Sequence, residues 1–175
     1  MRPLSQLRQQ LLPVEVMTLT HAPILETRTL RWPDEAACAD FAAALARQGA
    51  LRDAYVELRG ELGAGKTTLV RHLLRALGVA GRIKSPTYTV LEPYSLPGME
   101  ISHFDFYRFA DPREWQDAGF REVFAAPGLK LAEWPQKAEP MLPQPDLRLH
   151  IDVIDATQRK VTLQALTTRG IALLA

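Results

Sequence analysis

A single cysteine, Cys38, stands in the 175 residues. One thiol closes no internal disulfide, so a disulfide framework is excluded. With neither a C-x-x-C nor a Cys/His cluster beside it, Cys38 reads as a small apolar member of a helix, and a reducing, intracellular setting fits. No apolar run approaches the roughly 20 residues of a membrane helix. The opening Met1-Arg2-Pro3 leads to Arg8-Gln9-Gln10 rather than to an apolar signal segment, so the expectation is a cytoplasmic protein with no membrane contact. An excess of charge is missing too: 21 Lys and Arg against 20 Asp and Glu leave a net charge of +1. Bulk charge therefore does not make this chain a nucleic-acid binder. There is no internal repeat, no low-complexity tract, no N-K-x-D for reading guanine, and no G-x-G-x-x-G of a dinucleotide fold.

What is present fits one globular domain: 47% hydrophobic and 23% charged residues, on a length that buries a substantial core. Residues 1–26, interrupted by Pro3, Pro13 and Pro23, show no firm period and read as an extension; 27–175 read as the domain. Asp34 caps a predicted helix whose apolar members include Ala37, Phe41, Ala44 and Leu45, with Gly49 as its stop. Ala54 to Arg59 reads as a strand, although Glu57 and Arg59 depart from the continuously apolar pattern of a central parallel strand. A helix from about Gly65 carries Leu69, Val70, Leu73, Leu74 and Leu77 on one stripe and ends at Gly78. Further strands are expected over Thr87–Leu91, Ile101–Phe106, Leu129–Ala132, Leu147–Val153 and Lys160–Leu166, with a turn at Pro97-Gly98. Pro112 opens a short helix. Pro135 to Pro145 reads as a connection, and Ile171 to Ala175 as a short apolar tail.

The segment Gly60-Glu61-Leu62-Gly63-Ala64-Gly65-Lys66-Thr67 satisfies G-x-x-x-x-G-K-[ST] between a strand and a helix, the context that makes this pattern specific. The glycines let successive backbone N–H groups turn inward toward phosphate oxygens, and the helix that follows presents its positive end to the same anion. Lys66 reaches the β- and γ-phosphates, Thr67 ligates Mg²⁺, and Thr68 touches phosphate from the first helical turn. A chance glycine-rich turn is the bland alternative; the strand–loop–helix context weighs against it.

Such a cradle needs a carboxylate at the end of a neighbouring strand. Asp105, in His103-Phe104-Asp105-Phe106-Tyr107-Arg108, and Glu133, after Leu131-Ala132, both end strands, and spacing alone does not choose between them. Thr87, in Ser85-Pro86-Thr87, stands where a γ-phosphate sensor can sit. Lys84 and Arg108 are cations available to neutralise developing charge, or plain surface residues. His103 reads as a hydrogen-bonded structural residue, because phosphoryl transfer with Mg²⁺ needs little acid–base help.

The P-loop, then Lys84-Ser85-Pro86-Thr87-Tyr88, then His103-Phe104-Asp105-Phe106-Tyr107-Arg108, then Glu133-Trp134 resemble, in that order, the TsaE (YjeE) family. The likeness runs from about Thr29 to Leu166. It implies a single α/β P-loop domain with a central mixed β-sheet flanked by helices. It further implies triphosphate bound by Lys66 and the loop backbone, Mg²⁺ beside Thr67 and Glu133, Asp105 as the Walker B-like acid, and a switch loop at Ser85, Pro86 and Thr87. Arg159 matches a late family arginine near the nucleotide once a gap is allowed. Glu61 stands where Asp is commoner, Phe106 where Leu is commoner, and Pro135-Gln136-Lys137 lacks an arginine found in many members.

The resemblance implies an ATP- and Mg²⁺-dependent ATPase of tRNA threonylcarbamoyladenosine biosynthesis. Such a protein acts with TsaB and TsaD, which transfer the group to adenosine 37, and does not transfer it itself. Turnover alone is expected to be slow, and direct tRNA contact is not expected to dominate. The expected catalytic set is Lys66, Asp105 and Glu133, and the expected metal set is Thr67, Asp105 and Glu133. The nucleotide-binding set is Glu61 to Thr68, Ser85, Thr87 and Arg159. A small-metabolite kinase is the alternative, with Arg108, Arg113 and Arg121 as its lid. The missing N-K-x-D disfavours a GTP switch, and a non-catalytic nucleotide-binding scaffold needs the same cradle as a slow ATPase, so the sequence does not separate those two.

Overall fold

A computed structural model describes residues 23–175; the first 22 residues of the expected extension lie outside the described residues. Seven strands form one mixed sheet in the order β1-β7-β6-β2-β5-β4-β3. They are β1 (Glu26–Trp32), β2 (Tyr55–Arg59), β3 (Leu91–Leu96), β4 (Met99–Asp105), β5 (Leu129–Glu133), β6 (Leu147–Val153) and β7 (Arg159–Ala165). Strands β6, β2, β5 and β4 are mutually parallel; β7 and β3 run antiparallel at the two flanks, and β1 pairs antiparallel with β7.

Strand alternation sends side chains to two faces. Val56 and Leu58 of β2, Ile101 of β4 and Leu129 and Leu131 of β5 pack with α1 (Glu35–Ala46) and α2 (Lys66–Leu77). Asp34 caps α1 by accepting from the Ala37 N–H at 2.9 Å. The α2 stripe buries Leu69, Val70, Leu73 and Leu74, and Gly78, in the left-handed region, closes that helix. On the other face Tyr55, Phe104, Phe106 and Ala132 pack with Trp115 of α3 (Glu114–Asp117) and Phe120 of α4 (Phe120–Ala125). Truncating a fully buried leucine such as Leu58 to Ala costs about 2–5 kcal/mol.

Four expectations are corrected. The run Thr87–Val90 is a turn, and β3 begins at Leu91. The Val90 N–H donates back to the Pro86 carbonyl at 2.6 Å and Val90 takes a φ of 66°, so β-branched and aromatic residues are overruled by the turn that follows proline. Strand β1 has no counterpart in the predicted elements. The apolar tail belongs to α5 (Thr168–Leu173), which the Thr167 hydroxyl caps through the Gly170 N–H at 3.1 Å. Inside the Pro135–Pro145 connection, Pro135–Lys137 forms a 3₁₀ turn. No described helix is long and apolar enough to cross a membrane.

Candidate nucleotide site

The central strand β2 ends in the P-loop, and α2 starts from it. Gly60 allows the loop to leave the sheet: at φ 141° an added Cβ would lie 2.5 Å from the Ile151 carbonyl oxygen of β6. Gly63 and Gly65 also have positive φ, 79° and 109°, with open space where a Cβ would be, so their requirement is conformational. Gly65 hands the chain to α2, leaving the first amides of a 12-residue helix directed at the loop.

Next to β2 lies β5, and next to β5 lies β4. Their register sets Asp105 directly opposite Glu133, two parallel strands ending at one level. Both side chains fall on the α2 face, so the sheet brings two carboxylates to the start of that helix. Thr67 Oγ1 lies 2.9 Å from each Glu133 carboxylate oxygen. The Thr87 hydroxyl donates to Asp105 at 2.8 Å, and the Tyr107 N–H donates to its other oxygen at 2.9 Å. Ser85 Oγ is 2.8 Å from Thr87 Oγ1.

Lys66 is buried, its Nζ donating to the Gly60 and Glu61 carbonyls at 2.7 and 2.8 Å. Its ammonium also rests 4.2 Å from the centre of the Trp134 ring. Burial lowers the Lys66 pKa, and the carboxylates of Glu133 and Asp105 push it back up. Burial likewise raises the Asp105 pKa, against the Tyr107 N–H and Thr87 hydroxyl, which lower it; Glu133 beside it adds to the rise.

Leu62, Gly63, Gly65, Lys66, Thr67, Thr68, Thr87, Asp105, Tyr107, Glu133 and Trp134 line one cleft of about 220 Å³. Of these, Lys66 is the sole cation, set against two carboxylates. The donors suit Mg²⁺: a hydroxyl and hard carboxylate oxygens, with the remaining positions left to phosphate and water. Among the described residues no group of three or more His, Cys, Asp and Glu could hold a metal ion.

The other expected residues surround this cleft. Ser85 reaches it only through Thr87. Glu61 faces a groove on the β6 side with Arg59, Gly60 and His150. Ala64 and Arg159 line a second cleft together with Trp32, Asp34, Glu35, Cys38 and Thr157, joined to the first through Gly63, Gly65 and Thr68. Arg159 braces the loop by donating from Nε to the Ala64 carbonyl at 2.8 Å. Tyr107 and Trp134, cleft residues absent from the expected set, lie with ring centres 5.0 Å apart. Each follows a site acid closely in sequence and stands in a motif that carries the family resemblance, the signals that mark them. The arginines of the kinase alternative are elsewhere: Arg108 stacks on exposed Tyr88 at 4.2 Å, Arg113 pairs with Asp111, and neither these nor Arg121 line the cleft.

A family model described as threonylcarbamoyl adenosine biosynthesis protein TsaE matches residues 32–161. The tRNA threonylcarbamoyladenosine biosynthesis protein TsaE of Haemophilus influenzae is 45% identical over 115 residues, covering 66% of this chain and 72% of that protein. The protein of the same name from Bacillus subtilis is 34% identical over 145 residues, covering 83% and 88%. The crystal structure of Bacillus subtilis YdiB superposes with a TM-score of 0.70 at 27% identity, covering 85% of this chain and 92% of that one.

Proposed function

The chain belongs to the TsaE family of tRNA threonylcarbamoyladenosine biosynthesis proteins, and from that premise we propose that it is an ATPase supporting this modification. It binds ATP with Mg²⁺ and hydrolyses it slowly alone. It acts on or with a TsaB–TsaD complex rather than transferring the threonylcarbamoyl group itself. Residues 27–175 form the ATPase domain, and the site of action is cytoplasmic.

The observation that carries the reading is the convergence of Lys66, Thr67, Glu133 and Asp105 in one cleft at the end of the central strands. Lys66 leaves its carbonyl partners to meet the β- and γ-phosphate oxygens. The P-loop amides of Glu61 to Thr68 orient the phosphates, and Arg159 holds the loop through Ala64. Thr67 and Glu133 would hold Mg²⁺, which would supply charge neutralisation at the phosphate oxygens. Asp105 accepts hydrogen bonds from the switch loop through Thr87, and either acid can orient the attacking water. Ser85 steadies Thr87. With Lys66 the sole cleft cation among the described residues, charge developing on the transferring phosphoryl group is incompletely met by them. Slow turnover alone and stimulation by a partner follow.

The test is ATP hydrolysis with Mg²⁺, alone and with TsaB–TsaD, using Lys66→Ala as the blank. Stimulation by the partners that vanishes in Lys66→Ala supports the proposal. Charge-assisted hydrogen bonds contribute about 1.5–3 kcal/mol, so ATP affinity should fall roughly 10- to 150-fold in that variant. Unstimulated turnover with no partner binding would refute the partner role. Transfer of phosphate to a hydroxylated metabolite would favour the kinase reading instead.

A further inference from the structure

His103 is fully buried on β4, opposite Leu131 of β5 and two residues before Asp105. That spacing puts it on the carboxylate-bearing face, diagonal to Glu133. Its Nε2 lies 2.8 Å from Glu133 Oε1, while its Nδ1 has no hydrogen-bond partner among the described residues. A neutral imidazole carries one N–H. Placing it on Nε2 makes a hydrogen bond to a carboxylate, whereas placing it on Nδ1 would bury an unpaired donor. The geometry therefore assigns the Nε2–H tautomer, donating to Glu133.

We infer that His103 is a positioning residue for the Glu133 carboxylate, holding Oε1 from within the sheet so that the group faces Thr67 and the cleft. The inference rests on the ATPase reading above. Thr67 has one hydroxyl hydrogen and lies 2.9 Å from both Glu133 oxygens, so it does not by itself select a carboxylate orientation. The imidazole does, because it engages one oxygen only. It is also the rigid partner of the two. The Thr67 hydroxyl would serve Mg²⁺ when the ion is bound, whereas His103 is fully buried within the sheet. Asp105 has no such support: its partners are a loop hydroxyl and a loop amide. Outer hydrogen-bond partners of this kind orient ligating groups and tune their basicity.

His103→Gln and His103→Asn separate this role from core filling. A glutamine amide nitrogen falls near the imidazole Nε2 position and still donates to Glu133; an asparagine amide nitrogen falls near Nδ1 and does not reach. On the full chain, ADP affinity is measured by calorimetry with Mg²⁺ and with EDTA, alongside kcat and thermal melting of the nucleotide-free protein. Asparagine should reduce both the Mg²⁺-dependent gain in affinity and kcat by roughly 10- to 100-fold, with affinity in EDTA unchanged, while glutamine recovers most of both. Equal behaviour of the two variants would overturn the inference. If the asparagine protein melts too early to assay, the glutamine protein decides: near-wild-type Mg²⁺ dependence supports the role, and its loss overturns it. A wild-type chain that hydrolyses ATP while both variants match it removes only the role of His103. A wild-type chain whose ADP affinity ignores Mg²⁺ removes the ATPase reading and the inference with it.

Discussion

Two polar clusters, each built around a buried carboxylate, sit on opposite faces of neighbouring strands. Behind the sheet, Glu57 of β2 receives Arg59 at 3.0 Å, Arg148 of β6 at 2.8 Å and the Tyr55 hydroxyl at 3.3 Å; Glu139 in turn pairs with Arg59. In front, Glu133 and Asp105 are held by hydroxyls, an imidazole and an amide, with one ammonium nearby. The rear cluster balances two carboxylates with two guanidiniums, all fixed to the scaffold or the turn beside it. The front cluster has two carboxylates for one cation, and two of its donors are mobile hydroxyls. Burying charge is costly unless it is paired. The rear pairing is complete, and the front pairing leaves room for a divalent cation. Net charge, more than burial, thus distinguishes scaffold from site.

The largest test of that contrast is Glu57→Ala. It leaves Arg148 without its carboxylate and Arg59 with Glu139 alone, both partly exposed, so the loss is about 1.5–3 kcal/mol. Chemical denaturation should show that loss, while ADP affinity of the folded protein stays near wild type. A large drop in affinity with little change in stability would break the distinction between the clusters.

Asp105→Asn probes the front cluster in the opposite direction. The Asp105 carboxyl is raised above its ordinary value of 3.8, so the folded state binds its proton more tightly than the unfolded state does. Ionised Asp105 therefore costs stability. That cost is absent below the unfolded value, grows as pH rises past about 3.8 and is fully present above the folded value. Asparagine keeps the Tyr107 N–H bond through its amide oxygen, and its amide N–H donates to the Thr87 hydroxyl, which turns to accept, without the charge. The variant should melt higher than wild type at pH 7, the gap should close toward pH 3, and turnover should fall at least about tenfold. A variant that melts lower at pH 7 would place Asp105 among the scaffold groups.

Legibility in the sequence divides along the same line. The P-loop, Asp105 and Glu133 were readable because phosphate chemistry needs those residue types at strand ends, and the apolar stripe of α2 follows a clear helical period. Strand β1 was hidden because Glu26–Trp32 is an edge strand with only Leu30 and Trp32 as large apolar members; pairing with β7 specifies it. The Thr87–Val90 turn was misread because β-branched residues normally mark strands. Of the partners of Glu57, Arg59 and Tyr55 lie two residues away on β2, but Arg148 comes from β6, so strand order had to be known first. The same holds for His103 and Glu133, thirty positions apart.

Cys38 offers the most local test. It is buried in α1 yet lines the second cleft beside Gly63 and Gly65. Burial first, and the Glu35 carboxylate second, push its thiol from 9.0 up to about 12. Three pH units cut the thiolate fraction by about a thousandfold. Because the thiolate is the nucleophile, alkylation at pH 8 should be slower than for a free thiol by about that factor. The neutral thiol then adds no charge to the Lys66, Glu133 and Asp105 arrangement. ATP should slow alkylation further if the nucleoside enters the second cleft, and leave the rate unchanged if it points toward the β6 groove. Mass spectrometry of the modified chain, with and without ATP, reads both. Fast labelling in the folded protein would put Cys38 with the exchangeable groups of the site rather than with the core.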